Sequence, residues 1–443
     1  MRRQFLKAAG ALLAAGALPR AIADTARAAP ASTASRGLAA AAAAPAPVAA
    51  SAPAGAARGG ATDAVPAGAL VIIGGALRPD TADVWQRIVA LAGGAGARIA
   101  VLPSAAARPE RSGATIAANL KRYGADAFVV PVAVRLAGSD YRARADDAEL
   151  AEAVRNAGGV YFSGGDQALV TQALLRPGGS RSAVLQAVWD VYQRGGVIAG
   201  TSAGAAIMSS TMFHAPRPTL AMLQHGVTPG RDLAPGLGFI GEQVIIDQHF
   251  LVRGRFARML PAMLHAGYKL GLGIDENTAV VVRAQRELEV LGYKGVLLAD
   301  LSQASAPPGP FNVSNARLSY LDRGDRYDLA SGRHTPAPDK ANGRLDPARP
   351  ALRGAVYAND VLANNAIVEL MERLMDSDQQ EALGIAAGDP RATPPQPAFS
   401  FRLSRDAASL GYASDVAEAY SLLNVRLDAG PAAAANSQGV ANR

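Results

Sequence analysis

The chain has 443 residues, enough for one large domain or two, with 49% hydrophobic and 18% charged residues. It contains no cysteine, which excludes disulfides, thiolate metal sites and a cysteine nucleophile. The formal net charge of +7 is carried by scattered arginines rather than a Lys/Arg block, so nucleic acid is not an expected partner.

The first residues read Arg2-Arg3-Gln4-Phe5-Leu6-Lys7. An apolar run over 8–18 and a small-x-small site at Ala21-Ile22-Ala23 follow. This is the pattern of a twin-arginine export signal over 1–27, recognised by the twin-arginine translocation machinery and removed afterwards. The expected location is therefore periplasmic or extracellular. The apolar run is too short for a stable span, and no later stretch is long and apolar enough for one. Residues 28–67 are almost entirely Ala, Pro, Ser and Gly. They cannot bury enough surface to offset their ordering entropy, and read as a disordered linker. The folded domain is expected over 68–430, its part after about 332 being the least patterned, with a disordered tail over 431–443.

Within that domain, strands are expected at 70–73, 98–102, 127–132, 159–162 and 197–199. Helices between them are expected at 80–91, 115–123, 147–156, 169–175 and 182–194. Strand alternating with helix predicts a three-layer α/β fold, a parallel sheet covered on both faces with function at the strand C-termini. The glycine-rich or polar segments Gly74-Gly75, Pro103-Ser104, Gly164-Gly165-Asp166-Gln167 and Gly200-Thr201-Ser202-Ala203-Gly204 all fall at such ends. Residues 216–237 read as irregular, 239–246 as a strand and 259–266 as a helix. A turn between strands is expected over 271–282. Further strands are expected at 287–298 and 316–320, a loop over 335–350, a helix over 361–374 and closing strands at 399–403 and 421–427.

Gly200-Thr201-Ser202-Ala203-Gly204 is the segment that carries chemistry. After a short apolar strand, Gly-x-Ser-x-Gly reads as a nucleophile elbow that lifts the Ser202 hydroxyl into solvent at a helix N-terminus. Of five histidines, His249 stands out at the end of a strand beside Asp247 and Gln248, and is the expected base. Glu276, in Ile274-Asp275-Glu276-Asn277, is the favoured acid. Asp275 and Asp247 remain competitors, and Asp232 and Glu242 are weaker ones. Neighbouring Asp275 and Glu276 should face opposite ways, so only one can reach the histidine. The Ala203 N–H is one expected oxyanion donor, with Gly165 or Asp166 as the other. Arg253, Arg255 and Arg258 suit a bidentate grip on carboxylates. With carboxylates beside them, they suit a zwitterionic substrate. No metal or cofactor is expected, since no His-x-x-x-His pair lies on a helix.

Taken together, Gly164 to Gln167, the Ser202 elbow, Asp247-Gln248-His249-Phe250 with the three arginines, and Gly273-Ile274-Asp275-Glu276 resemble cyanophycinase. That is a serine peptidase family related to aspartyl dipeptidase, on a fold similar to class I glutamine amidotransferases. The resemblance covers about 70–329. It implies an exopeptidase that degrades cyanophycin, a polyaspartate with arginine on each β-carboxyl, to β-Asp-Arg dipeptides through an acyl-enzyme. Ser202 would be nucleophile, His249 base and Glu276 acid. Gln167, Asp247, Gln248, Arg253, Arg255 and Arg258 would line the substrate pocket. The expected partner is cyanophycin or another Asp-Arg-containing peptide. A homodimer is left open. The other readings are an aspartyl dipeptidase or another serine hydrolase of the same fold, and an inactive binding module.

Overall fold

The computed structural model describes residues 65–388, 391 and 396–432. The expected export signal and most of the expected linker and tail lie outside these. In chain order the strands are β1 (Ala69–Ile73), β2 (Arg98–Leu102), β3 (Asp126–Val129), β4 (Gly159–Phe162), β5 (Val197–Thr201), β6 (Thr211–Phe213) and β7 (Leu233–Pro235). Then come β8 (Val244–Gln248), β9 (Leu270–Ile274), β10 (Thr278–Arg283), β11 (Glu287–Gly292), β12 (Val296–Asp300), β13 (Val313–Leu321) and β14 (Arg326–Asp328). The last are β15 (His334–Thr335), β16 (Val356–Ala358), β17 (Glu381–Ala386), β18 (Phe399–Ser404), β19 (Leu410–Ala413) and β20 (Tyr420–Pro431). The helices are α1 (Ala82–Leu91), α2 (Pro109–Arg122), α3 (Tyr141–Ala145), α4 (Ala148–Arg155) and α5 (Gln167–Leu174), followed by α6 (Ala183–Gln193), α7 (Ala203–Ala206), α8 (Thr219–His225), α9 (Phe256–Ala266) and α10 (Ala366–Met375).

The first sheet has the order β15-β14-β11-β10-β1-β5-β4-β2-β3. Its β1 to β5 are parallel, as the strand-helix alternation predicts, and form the α/β half of the fold. β10 joins β1 antiparallel, and β11, β14 and β15 continue that way. Both faces of β1 are buried. Leu70 and Ile72 enter one core with α4, α5 and α6; Val71 and Ile73 enter another with α1 and α2. That is the period-2 split of a strand covered on both sides.

A second sheet runs β16-β17-β18-β20-β13-β12-β9-β8, with β19 on β20. The sequence reading did not resolve it. The run 287–298, read as one strand, is two: β11 lies in the first sheet and β12 in the second, with the chain turning at 293–295. Ile246, Leu272, Ile274 and Leu298 of the second sheet share a core with Leu70, Ile72 and Ile198 of the first. Their alternate neighbours Ile245 and Leu297 pack instead against α9 and α10. The two sheets are thus fused through one apolar core at about 25 cal/mol per Å² buried. β8 and β9 bring their C-terminal ends beside that of β5.

Smaller differences have local causes. α2 begins at Pro109, six residues earlier than the apolar spacing implies, because proline needs no partner for its missing N–H in a first turn. The irregular stretch 216–237 contains α8 and, with β6, the two-stranded ribbon of β6 and β7.

Candidate active site

Ser202 follows β5 directly and caps α7 with φ 54° and ψ −110°, a conformation that non-glycine residues avoid. This is the strained elbow that the motif predicts. Its flanking glycines are required by contact: a Cβ on Gly200 would lie 2.3 Å from the Gly204 carbonyl oxygen, and one on Gly204 2.5 Å from that of Phe162. His249, just past β8, also has positive φ, 47°. Its Nε2 lies 2.9 Å from Ser202 Oγ, and its Nδ1 lies 2.6 Å from Glu276 Oε1. Glu276 sits in the turn that leaves β9 of the second sheet and enters β10 of the first.

The end of β1 sets this geometry through the backbone. The consecutive carbonyls of Ile73, Gly74 and Gly75 accept from the N–H groups of Ser202 (2.9 Å), His249 (2.8 Å) and Asn277 (2.8 Å). Gly75 is also the floor under the imidazole, since a Cβ there would lie 2.3 Å from the ring. Asn277, in the left-handed region at φ 54°, accepts from Arg78 N–H at 3.0 Å and Thr81 Oγ1 at 2.6 Å, clamping the loop after Gly75 to the acid-bearing turn. The sequence reading marked Gly74-Gly75 as a strand end but had no signal for the histidine above it.

The competing carboxylates have other partners. Asp275 is fully buried, 2.6 Å from Lys294 Nζ, and accepts from Val252 N–H at 3.3 Å. It faces away from His249, as strand alternation requires. Asp232 pairs with Arg217 at 2.7 Å. Asp247 is 1% exposed and gripped at both oxygens by Arg258, Nε to Oδ2 at 2.8 Å and Nη2 to Oδ1 at 2.8 Å. Arg258 in turn lies over the Phe213 ring, 4.3 Å from its centroid.

Two of the side chains expected to line the pocket thus have partners within the protein. Asp247 and Arg258 neutralise each other below the surface and brace β8 against α9. Arg255 Nη1 donates to the Gln248 carbonyl at 2.6 Å, and burial lowers its pKa to about 10, which keeps it charged at neutral pH. Arg253 is exposed and has no ion pair among the described residues. Gln248 is buried, with Oε1 lacking a hydrogen-bond partner among the described residues. Gln167 donates to the carbonyls of Phe213 (2.7 Å) and His214 (3.3 Å), holding the start of α5 to the end of β6.

The oxyanion donors separate in the same way. The Asp166 N–H is already donated to the Ala105 carbonyl at 2.9 Å, and its carboxylate caps α5 through Ala168 N–H, so Asp166 leaves the expected pair. The N–H groups of Ala203 and Gly165 have no partner among the described residues. Gly164 places that strand end against the serine: a Cβ on it would lie 3.3 Å from Ser202 Cβ.

Burial lowers the His249 pKa below its ordinary 6.5. The hydrogen bond that the ring donates to Glu276 opposes this, and the charges of Arg253 and Arg255 reinforce it. The imidazole is therefore neutral at pH 7 and able to take a proton. Among the described residues, no group of three or more His, Asp or Glu side chains is arranged to hold a metal ion. The close contact under the ring gives a prediction. Gly75→Ala should displace His249 and lower kcat by about 10²-fold, the order that a misplacement near 1 Å produces. An unchanged kcat would show that the ring is not held from below.

Residues 70–290 match Peptidase family S51. The chain is 33% identical over 273 residues to a cyanophycinase of Geminocystis herdmanii, a match covering 59% of this chain and 93% of that protein. It is 41% identical over 148 residues to a cyanophycinase of Trichormus variabilis, covering 31% and 47%. A match to a cyanophycinase of Synechococcus elongatus is 36% over 149 residues, covering 31% and 44%. A solved structure of a peptidase from an acI-B1 Actinobacterium is 24% identical, covers 53% of this chain and 91% of that one, and has a TM-score of 0.42. Ser202, His249 and Glu276 all fall inside the matched segment. With one relative aligned across nearly its whole length, the chain belongs to peptidase family S51.

Proposed function

We propose that this peptidase hydrolyses cyanophycin to β-Asp-Arg dipeptides through an acyl-enzyme on Ser202. The observation that carries the chemistry is the pair of contacts made by one imidazole, 2.9 Å to Ser202 Oγ and 2.6 Å to Glu276 Oε1. Ser202 Oγ attacks the scissile carbonyl carbon while His249 Nε2 takes the hydroxyl proton. Glu276 holds the other ring nitrogen protonated and stabilises the imidazolium. The negative oxygen is met by the free N–H groups of Ala203 and Gly165. The C–N bond breaks, and the leaving amine takes the proton from His249. Water then attacks the ester, gives one proton to His249, and Ser202 leaves with it.

The substrate is supported by the relatives named cyanophycinase and by the chemistry beside the triad. Arg253 has a free guanidinium for a substrate carboxylate, and Gln248 Oε1 is an unused acceptor for a guanidinium or amide N–H. Export follows from Arg2-Arg3 and the Ala-x-Ala site, and places the enzyme where polymer released by other cells would be met.

Five outcomes are expected. Purified protein should release β-Asp-Arg from cyanophycin, detected by mass spectrometry. Glu276→Gln should lower kcat by roughly 10²- to 10⁴-fold; wild-type activity in that variant would remove Glu276 from the mechanism, and absence of the dipeptide would remove the substrate. In the pH profile, kcat/KM should rise to a plateau through a midpoint below 6.5, because the active form is neutral His249. Arg253→Ala should move that midpoint upward, since a nearby positive charge no longer opposes protonation; a downward shift would contradict the assignment. Changing Arg2 and Arg3 to lysine should retain the protein in the cytoplasm, and normal export would refute the twin-arginine signal.

A further inference from the structure

The crevice at the strand ends has a second cationic wall that the chemistry above does not use. Beyond β2 the chain turns through 103–108 into α2. Gly165 seats on that turn, where a Cβ would lie 1.9 Å from the Ala105 carbonyl oxygen. Next to it Gly164 touches Ser202. Between Gly164 and the first turns of α2 lies a cavity of about 410 Å³, lined by Ala106, Arg108, Arg111, Ser112 and Thr115. One wall of it is thus the residue that contacts the serine.

The polar residues are spaced i, i+3, i+4 and i+7 from Arg108, the spacing of one helix face. The core-facing stripe of α2 is carried by Gly113, Ile116, Ala117 and Leu120, and Ile116 also borders the cavity. Arg108 and Arg111 are exposed and make no hydrogen bond or ion pair among the described residues. Glu110, exposed between them in sequence, forms an ion pair with neither. Some surface arginines are paired, as Arg155 is with Glu152 and Asp190, and Arg176 with Asp146, while others such as Arg253 are not. The depression is open and its lining mostly apolar, with Ala106, Ala107 and Ile116 beside the polar residues; the two unpaired guanidinium groups on its wall are what can grip a carboxylate.

We propose that this cavity is a subsite for a carboxylate of an acidic peptide substrate, on the side of Ser202 away from His249. The sheet order fixes the side. From β1, whose end lies under His249, the strands run β5 with Ser202, β4 with Gly164, then β2 with the Arg108 turn. Two strand spacings are about 10 Å, within reach of three residues of extended chain. A substrate lying across Ser202 would then place one carboxylate toward Arg253 and another toward Arg108 and Arg111. The identity of that substrate as a β-Asp-Arg polymer rests on the reading under Proposed function; the carboxylate subsite does not need it.

The test is calorimetric binding to the Ser202→Ala protein, which cannot turn its ligand over. The ligands are a two-unit β-Asp-Arg oligomer as free acid and the same oligomer with its carboxylates amidated. The acid should bind more tightly than the amide. Adding Arg108→Gln and Arg111→Gln together should shrink that difference by about tenfold or more, the worth of one charge-assisted bond. Lys121→Gln, at the far end of α2, should leave it as it was. The subsite is overturned if acid and amide bind alike, if the double variant keeps the full difference, or if Lys121→Gln reduces it equally. Cyanophycin cleavage by the unsubstituted enzyme is measured alongside. Absence of cleavage with loss of the acid preference in the double variant sinks the polymer reading and keeps the subsite; cleavage with an unchanged preference does the reverse.

Discussion

Everything at this site depends on three consecutive carbonyls at the end of β1. Ile73, Gly74 and Gly75 hold, in turn, the backbone N–H of Ser202, of His249 and of the residue after Glu276. These three groups arrive from different places: Ser202 from the first sheet, His249 from the second, and Glu276 from the turn joining them. Backbone hydrogen bonds to one strand end convert the packing of two sheets into a fixed distance between side chains. The approach is so close that a Cβ on Gly74 would lie 2.0 Å from the Asp275 carbonyl oxygen. Ser202 and His249 both sit at positive φ, and each such residue costs about 1–3 kcal/mol, offset by the surrounding structure. The second sheet is therefore part of the scaffold of this site, because β12 and β13 hold β9, which leads into the turn that bears Glu276.

Charge is distributed with the same economy. Three carboxylates, Asp247, Asp275 and Glu276, lie on the segments that form the site, and their neighbours give them different partners. Asp247 is neutralised by Arg258 in a buried pair, and the buried Asp275 by the partly exposed Lys294; removing either cation would leave a buried carboxylate uncompensated. Only Glu276 faces the imidazole. Arg255, largely buried, also lies 3.5 Å from Asp247, whereas Arg253 is exposed; the charges of both lower the affinity of His249 for a proton.

What could be read from the sequence was local. The elbow showed because glycine spacing and a strand-to-helix switch occur within ten residues. Alternation showed that only one of Asp275 and Glu276 could reach the histidine, and the contact of Glu276 with the ring decides which. Pairings made through space left no such mark. Nothing in the order Asp247, Arg255, Arg258 distinguishes an internal ion pair from a substrate grip, so Asp247 and Arg258 were both assigned to the pocket. The Asp166 N–H was lost to the Ala105 carbonyl, a contact between two strand ends that no spacing encodes. Parts of the second sheet were hidden because β16 and β19 have only three or four residues, too few to show a period. The break between β11 and β12 at Tyr293-Lys294-Gly295 lies inside a run that is otherwise strand-like.

The most direct measurement is rapid acid quenching of the enzyme during turnover of a β-Asp-Arg oligomer, followed by proteolysis and mass spectrometry. A covalent adduct of the acyl fragment should appear on the peptide that contains Ser202, and should form far more slowly in His249→Ala. Turnover without an adduct on that peptide, or an adduct on another residue, would contradict a serine nucleophile activated by the hydrogen-bonded pair of His249 and Glu276.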